Sequence, residues 1–197
     1  DSNTHKISLP FPATEINKLK AGDSISLSGT IFTARDAVHK YLANGGTAPC
    51  DLTNAVIYHC GPIVTTAKGQ YEITAAGPTT SIREEPYMAT LIEKYRLRAI
   101  VGKGGMGSKT LEACHKFGCL YLQTVGGAAQ VLAAAIEKID AVFFEEQFGS
   151  PEAVWQLQVR DFPAIVTMDA KGNSLHDKIE HESQQKRNNI FAALEEA

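Results

Sequence analysis

Between residues 84 and 146, apolar runs of strand length alternate with stretches of helical period, and this alternation limits the fold more than any other feature. EEPYMATLIEKY, with Pro86 in its first turn, reads as a helix leading into strand LRAIVG. SKTLEACHKFG leads into strand CLYLQTV, and helix GAAQVLAAAIEKI into strand DAVFFEE. Such a β-α-β-α-β rhythm predicts a parallel sheet covered by helices. The flanks read differently. ISLPF, SISLSGTIF, AVIYHCGPIV and YEITAAG are strand-like, the last two joined by AKG as a hairpin, with a helix ARDAVHKYLANGG among them capped by Thr33. VWQLQVRDF and PAIVTMD read as an antiparallel pair, and the polar tail from about residue 173 as a surface helix. A parallel unit beside a separate antiparallel region implies α/β layers rather than a doubly wound sheet.

At 197 residues the chain is read as a single domain, 1–197, able to bury roughly 70% of its unfolded surface. A formal net charge of −3 gives no reason to expect nucleic acid or an acidic membrane as partner. No apolar run approaches the roughly 18 residues of a membrane span, and the N-terminal stretch lacks a signal-peptide apolar region. A cytoplasmic location is therefore expected. Cys50, Cys60, Cys114 and Cys119 have the spacing of no zinc or ferredoxin motif, so reduced structural cysteines and no metal site are expected.

IVGKGGMGSKT offers Gly102, Gly104 and Gly107 at G-x-G-x-x-G spacing after a strand. A dinucleotide site needs an acid near the end of the next strand, and no acid lies between Lys116 and Ile136. A phosphate P-loop would need glycines where Lys103 and Ser108 stand. Both nucleotide readings fail at the residue that discriminates them. What remains is a loop that brings backbone and the N-terminus of the following helix close to an anion, with Lys103 adding a full charge.

Two further turns carry cations. In GPTTSIR, Gly77 and Pro78 fix a turn, and the hydroxyls of Thr79, Thr80 and Ser81 precede Arg83 at a helix start, an arrangement suited to a carboxylate or phosphate. In GTIFTARDAVH, Arg35 and His39 are four apart and share a helical face, while Asp36 is spaced to pair with Lys40. A cation in a first helical turn opposes the macrodipole, which suggests an anionic ligand beside Arg35. Were Arg35, Arg83 and Lys103 to converge, a small dicarboxylate would fit best.

GTIFTARDAVH, AGPTTSIR, VGKGGM, EEQFGSPEAVW and VRDFPAIVTMDAKGN, in this order over roughly residues 5 to 175, resemble the β subunit of iron–sulfur class I hydro-lyases. These are two-subunit fumarate hydratases and L(+)-tartrate dehydratases, with the C-terminal domain of single-chain class I fumarases. The resemblance implies an α/β fold of the swivelling β/β/α three-layer kind, with a parallel and an antiparallel sheet. It implies a [4Fe–4S] cluster held by a partner α subunit rather than by this chain, in an α2β2 assembly. It implies Arg35, Thr79, Thr80, Arg83 and Lys103 as ligands of the substrate carboxylates, and Thr79 as the hydroxyl that moves a proton, with His39 a second acid/base candidate. Fumarate/malate is the expected substrate pair, on the fumarase-like QTVGGAAQVLA. L(+)-tartrate is the alternative, and a non-catalytic dicarboxylate-binding domain the rival of a different class.

Overall fold

The structure, a computed structural model, describes residues 4–124 and 129–195, with side chains through residue 189. Nine strands and seven α-helices are formed among these residues. The strands are β1 (His5–Ser8), β2 (Ser24–Ala34), β3 (Val56–His59), β4 (Ile63–Ala67), β5 (Gln70–Ala75), β6 (Ala99–Gly102), β7 (Leu120–Thr124), β8 (Ile136–Phe143) and β9 (Val154–Met168). The helices are α1 (Ala13–Ile16), α2 (Asp36–Ala43), α3 (Glu85–Tyr95), α4 (Ser108–Phe117), α5 (Ala129–Ala134), α6 (Glu145–Phe148) and α7 (Leu175–Glu195). No described helix is long and apolar enough to cross a membrane.

β2, β3, β6 and β7 lie side by side in parallel, as the alternating middle segment predicts. β9 then pairs antiparallel with β7 on one side and β2 on the other, so the ladder β2-β3-β6-β7-β9 closes on itself. β1 and β8 extend it at the margins, while β4 and β5 form a separate hairpin. The molecule is thus mixed α/β. Along β3, β6 and β7 the side chains alternate between two cores. Val56, Tyr58, Ala99, Val101, Leu120 and Leu122 join the enclosed side with Leu27, Trp155 and Phe162. Ile57, Ile100 and Tyr121 face outward beneath Val38, Leu42, Met88, Leu91, Ile92 and Cys114 of α2, α3 and α4. Each large apolar side chain so buried contributes roughly 1.5–3 kcal/mol.

Four expectations are corrected. VWQLQVRDF and PAIVTMD are one 15-residue strand, β9, and not a pair. The RD-Pro signal marks a bulge, with Asp161 at φ 49° and its N–H donating to Ser28 Oγ at 3.0 Å, while Pro163 still pairs opposite Ser26. The helix read through IEKI stops at Ala134, and β8 begins at Ile136 antiparallel to β9 instead of parallel to β7. The β-branched and alternating residues of IEKIDAVF outweigh the helical pattern of the alanine run before them. Val125 to Ala128, part of QTVGGAAQVLA, lie outside the described residues. Finally, Thr33 does not cap α2. It is buried inside β2, where Oγ1 accepts from Trp155 N at 3.1 Å.

Candidate functional site

The C-terminal ends of β2, β3 and β6 lie adjacent; the turns leaving β2 and β6 carry Arg35 and Lys103, and the turn that follows β5, carrying Arg83, docks against the end of β3. Backbone pairing joins two of these turns directly. Thr80 bridges Lys103 in parallel register, and Ser81 N donates to Lys103 O at 3.1 Å. The same turn is tied to β3, with Thr79 N donating to His59 O at 2.8 Å and Pro78 opposite Cys60. Gly61 follows, and a Cβ there would lie 2.7 Å from Arg35 Nη1, so the guanidinium rests on the backbone face that Gly61 leaves bare. Arg83 in turn donates from Nη2 to Asp36 Oδ2, linking the 78–83 turn to the start of α2. Arg35, Thr79, Thr80, Arg83 and Lys103 are thereby gathered at one end of the sheet.

Their surroundings differ in ways the sequence does not announce. Lys103 and Thr80 are exposed, and Lys103 forms no ion pair among the described residues. Thr79 Oγ1 is shielded from solvent and has no hydrogen-bond partner among the described residues, an uncommon state for a hydroxyl. Arg35 is the extended N-cap residue of α2 (φ −128°, ψ −166°) and not a first-turn residue, so its cation still lies at the positive end of the helix dipole and needs an anion beside it. Its Nε lies 3.5 Å from Glu152 Oε1, whose other oxygen accepts from Ala37 N at 3.2 Å and caps the helix. Asp36 faces Arg83 and not Lys40. The Asp36 carboxyl is held down at about 2, chiefly by a hydrogen bond from Glu84 and then by Arg83.

His39 sits below this surface. Its ring is 1% exposed and Nδ1 lies 2.6 Å from Glu84 Oε2, itself 1% exposed. The ring packs edge-on against His59, with centroids 5.1 Å apart. His59 Nδ1 meets Ser81 Oγ at 2.8 Å, Tyr121 OH donates to Ser81 Oγ at 2.9 Å, and Gly105 N donates to Tyr121 OH at 3.3 Å. Burial keeps His59 well below the usual histidine range and therefore neutral. Ser81 is thus part of a buried polar chain and does not face an external anion. A Cβ on Gly102 would overlap Ser81 Oγ, which accounts for a glycine at the end of β6.

The N-terminus of α4, read from the glycine loop as an anion site, already has an internal occupant. Glu85 accepts from Gly107 N at 2.8 Å, Thr110 N at 3.2 Å and Thr110 Oγ1 at 2.7 Å. The anion-binding physics of the loop is correct, but the anion is a carboxylate from α3. Sequence reasoning missed Glu84, Glu85, His59, Tyr121 and Glu152 as parts of this region. His59 at the end of a parallel strand was the one detectable signal. The two glutamates read only as ordinary acids of a first helical turn.

Among the described residues no three His, Cys, Asp or Glu side chains are placed to hold a metal ion. Cys60, Cys114 and Cys119 are buried and Cys50 is half-buried. Burial pushes the Cys50 and Cys60 thiols up to about 11 and about 12, away from the thiolate form that iron–sulfur ligation requires. These residues do not fit an iron–sulfur cluster.

A family model described as "Fumarase C-terminus" matches residues 1–179. A Geobacillus stearothermophilus protein named "Putative fumarate hydratase class I" is 51% identical over 189 residues, which cover 94% of this chain and 36% of that protein. The "Putative L(+)-tartrate dehydratase subunit beta" of Methanocaldococcus jannaschii is 38% identical over 182 residues, covering 90% of this chain and 93% of the relative. The L(+)-tartrate dehydratase subunit beta of Escherichia coli K12 is 38% identical over 171 residues, covering 86% and 85%. The chain therefore spans about a third of the first relative and most of the other two.

Proposed function

The chain belongs to the fumarase C-terminus family, and on that premise we propose that it is the dicarboxylate-gripping part of a class I hydro-lyase. The reaction is the reversible hydration of fumarate to L-malate, in an active site shared with a cluster-bearing partner in an α2β2 assembly. The observation that carries this reading is the backbone bridge between Thr80 and Lys103, which ties the turn bearing the shielded Thr79 hydroxyl to the loop bearing the Lys103 cation, each side chain without a partner among the described residues. We place the [4Fe–4S] cluster on the partner, since the cysteines here do not suit one, and the whole chain in the cytoplasm as one domain of the swivelling β/β/α three-layer kind.

The roles of this chain's residues follow from their settings. Lys103 and Arg83 bind the substrate carboxylates, with Thr80 donating at the exposed rim. Arg83 keeps Asp36 on Nη2 and retains other N–H donors for a carboxylate. Arg35, held between Gly61 and Glu152, offers a third charge. When the C–H proton leaves, negative charge grows on the adjacent carboxylate, and these fixed cations stabilise it more than they stabilise the substrate. Thr79 Oγ1 is the proton-transfer atom. An alcohol is a weak base, so it passes the proton to a carboxylate of the partner. His39, enclosed with Glu84, assists from below without touching substrate.

L(+)-tartrate dehydration is the second reading, favoured by the two tartrate-named relatives whose length the chain nearly spans. Malate and tartrate differ by one hydroxyl, and the same cations would grip both. Anaerobic coexpression with the partner subunit, followed by turnover of L-malate and L-tartrate, separates the readings. Malate turnover well above tartrate supports the fumarase and the reverse supports the alternative. A cluster-loaded complex that turns over neither, yet binds dicarboxylates, supports a non-catalytic binding domain.

A further inference from the structure

Beneath Arg83 lies a group the reaction does not obviously require. Glu84 is 1% exposed and packs between two neighbours from α2, His39 Nδ1 at 2.6 Å and the Asp36 carboxyl within hydrogen-bonding reach. Two carboxyls can share a hydrogen bond only if one keeps its proton. Asp36 bonds Arg83 and is the more exposed of the two, so the proton belongs on Glu84. The other groups facing this cluster are His59, edge-on to His39 and neutral, and Glu152, whose charge reaches Arg83 from the N-terminus of α2.

An ion pair between imidazolium His39 and carboxylate Glu84 is the competing arrangement. It would set a second buried negative charge against Asp36. It would also give His39 an Nε2–H donor that is buried and has no partner among the described residues. With Glu84 neutral, His39 Nδ1–H donates to Oε2, Glu84 Oε1–H donates to Asp36, and Nε2 carries only a lone pair. Burial, the largest influence, acts in the same direction and raises the Glu84 carboxyl, and Asp36 adds to it against His39.

We propose that Glu84 is a positioning residue that, as a neutral acid, locks Asp36 in place and so fixes the Arg83 guanidinium for the substrate carboxylate. This rests on the hydro-lyase reading for its kinetic consequence but not for its chemistry. Arg83 is half-exposed on a flexible stem, and Asp36 is its partner among the described residues. Release of Asp36 returns the guanidinium to many rotamers, which weakens substrate capture more than it slows the bound substrate.

Two measurements on the complete enzyme with its partner test it. Infrared spectra at neutral pH should show a protonated-carboxyl band that Glu84→Gln removes. Absence of that band, or a band unchanged in the variant, overturns the neutral-acid lock whether or not the enzyme is a hydro-lyase. In kinetics, Glu84→Gln keeps both hydrogen-bonding partners and should hold kcat/KM within about twofold of wild type. It should also remove the fall in kcat/KM with rising pH that accompanies ionisation of Glu84. Glu84→Ala should raise KM about tenfold with a smaller effect on kcat. Equal damage from Gln and Ala, or a fall with rising pH that Gln leaves in place, overturns the positioning role. If the wild type turns over neither malate nor tartrate, the hydro-lyase reading fails, and the infrared band decides the proposal by itself.

Discussion

Gly102→Ala tests whether the buried chain from His59 to Gly105 is as tightly built as its distances state. The added methyl would overlap Ser81 Oγ and come within 3.3 Å of both Ser81 Cβ and His59 Nδ1. Ser81 can yield only by swinging its hydroxyl away from His59 Nδ1 at 2.8 Å and from Tyr121 OH at 2.9 Å. Each buried group left without a partner costs about 1–3 kcal/mol, so the substitution should cost roughly 3–5 kcal/mol. For a chain of this length that lowers Tm by roughly 6–20 °C. Gly104→Ala is the control. Its Cβ meets open space, and only the positive φ of 81° opposes it, at about 1 kcal/mol. Combining Gly102→Ala with Ser81→Ala removes the clashing hydroxyl, so the pair should cost clearly less than the sum of the singles. Thermal melts of the four variants would refute the reasoning if Gly102→Ala melted within 2 °C of wild type, or if the double variant were simply additive.

Glu85→Ala removes the acceptor of three hydrogen bonds at the start of α4 and should destabilise by roughly 2–3 kcal/mol in urea unfolding. Glu85→Gln, which keeps acceptor capacity but loses charge, should cost less. His59 supplies a pH dependence. Its folded pKa is depressed, so the unfolded chain binds the extra proton. The stability it supports is complete above about 6.5 and falls as pH drops below that value. Tm measured between pH 7.5 and 5 should decline, and His59→Gln should flatten the slope. Asp36 acts in a separate window, its contribution fading only as pH falls from about 3.8 toward about 2.

The sheet was legible where the residues repeat a pattern. β3, β6 and β7 and the helices α3 and α4 follow from apolar runs bounded by turn residues and from Pro86 and Gly118 at helix ends. β9 was not legible as one strand, because Asp161 and Pro163 look like a turn when no partner strand is known. Strand β2, distant in sequence, pairs across Phe162 and Pro163 and holds that segment extended. The cations were visible one by one, but their neighbours were not. Asp36 found Arg83 across 47 positions, and Glu85 reached the helix start 22 positions on. Long-range pairing of charges carries no periodic signature, so the glycine loop looked open to an external anion when an internal one already filled it.

The central claim is that the turns at the end of β2, β3 and β6 grip a dicarboxylate. Lys103→Ala in the anaerobically purified enzyme carrying this chain tests it most directly. The side chain is exposed and pairs with nothing among the described residues, so the account predicts a Tm within about 2 °C of wild type. It also predicts a fall of at least about 100-fold in kcat/KM for fumarate hydration, the loss of roughly 2.7 kcal/mol of transition-state stabilisation. A variant that keeps kcat/KM within threefold of wild type, with its cluster intact, would contradict it.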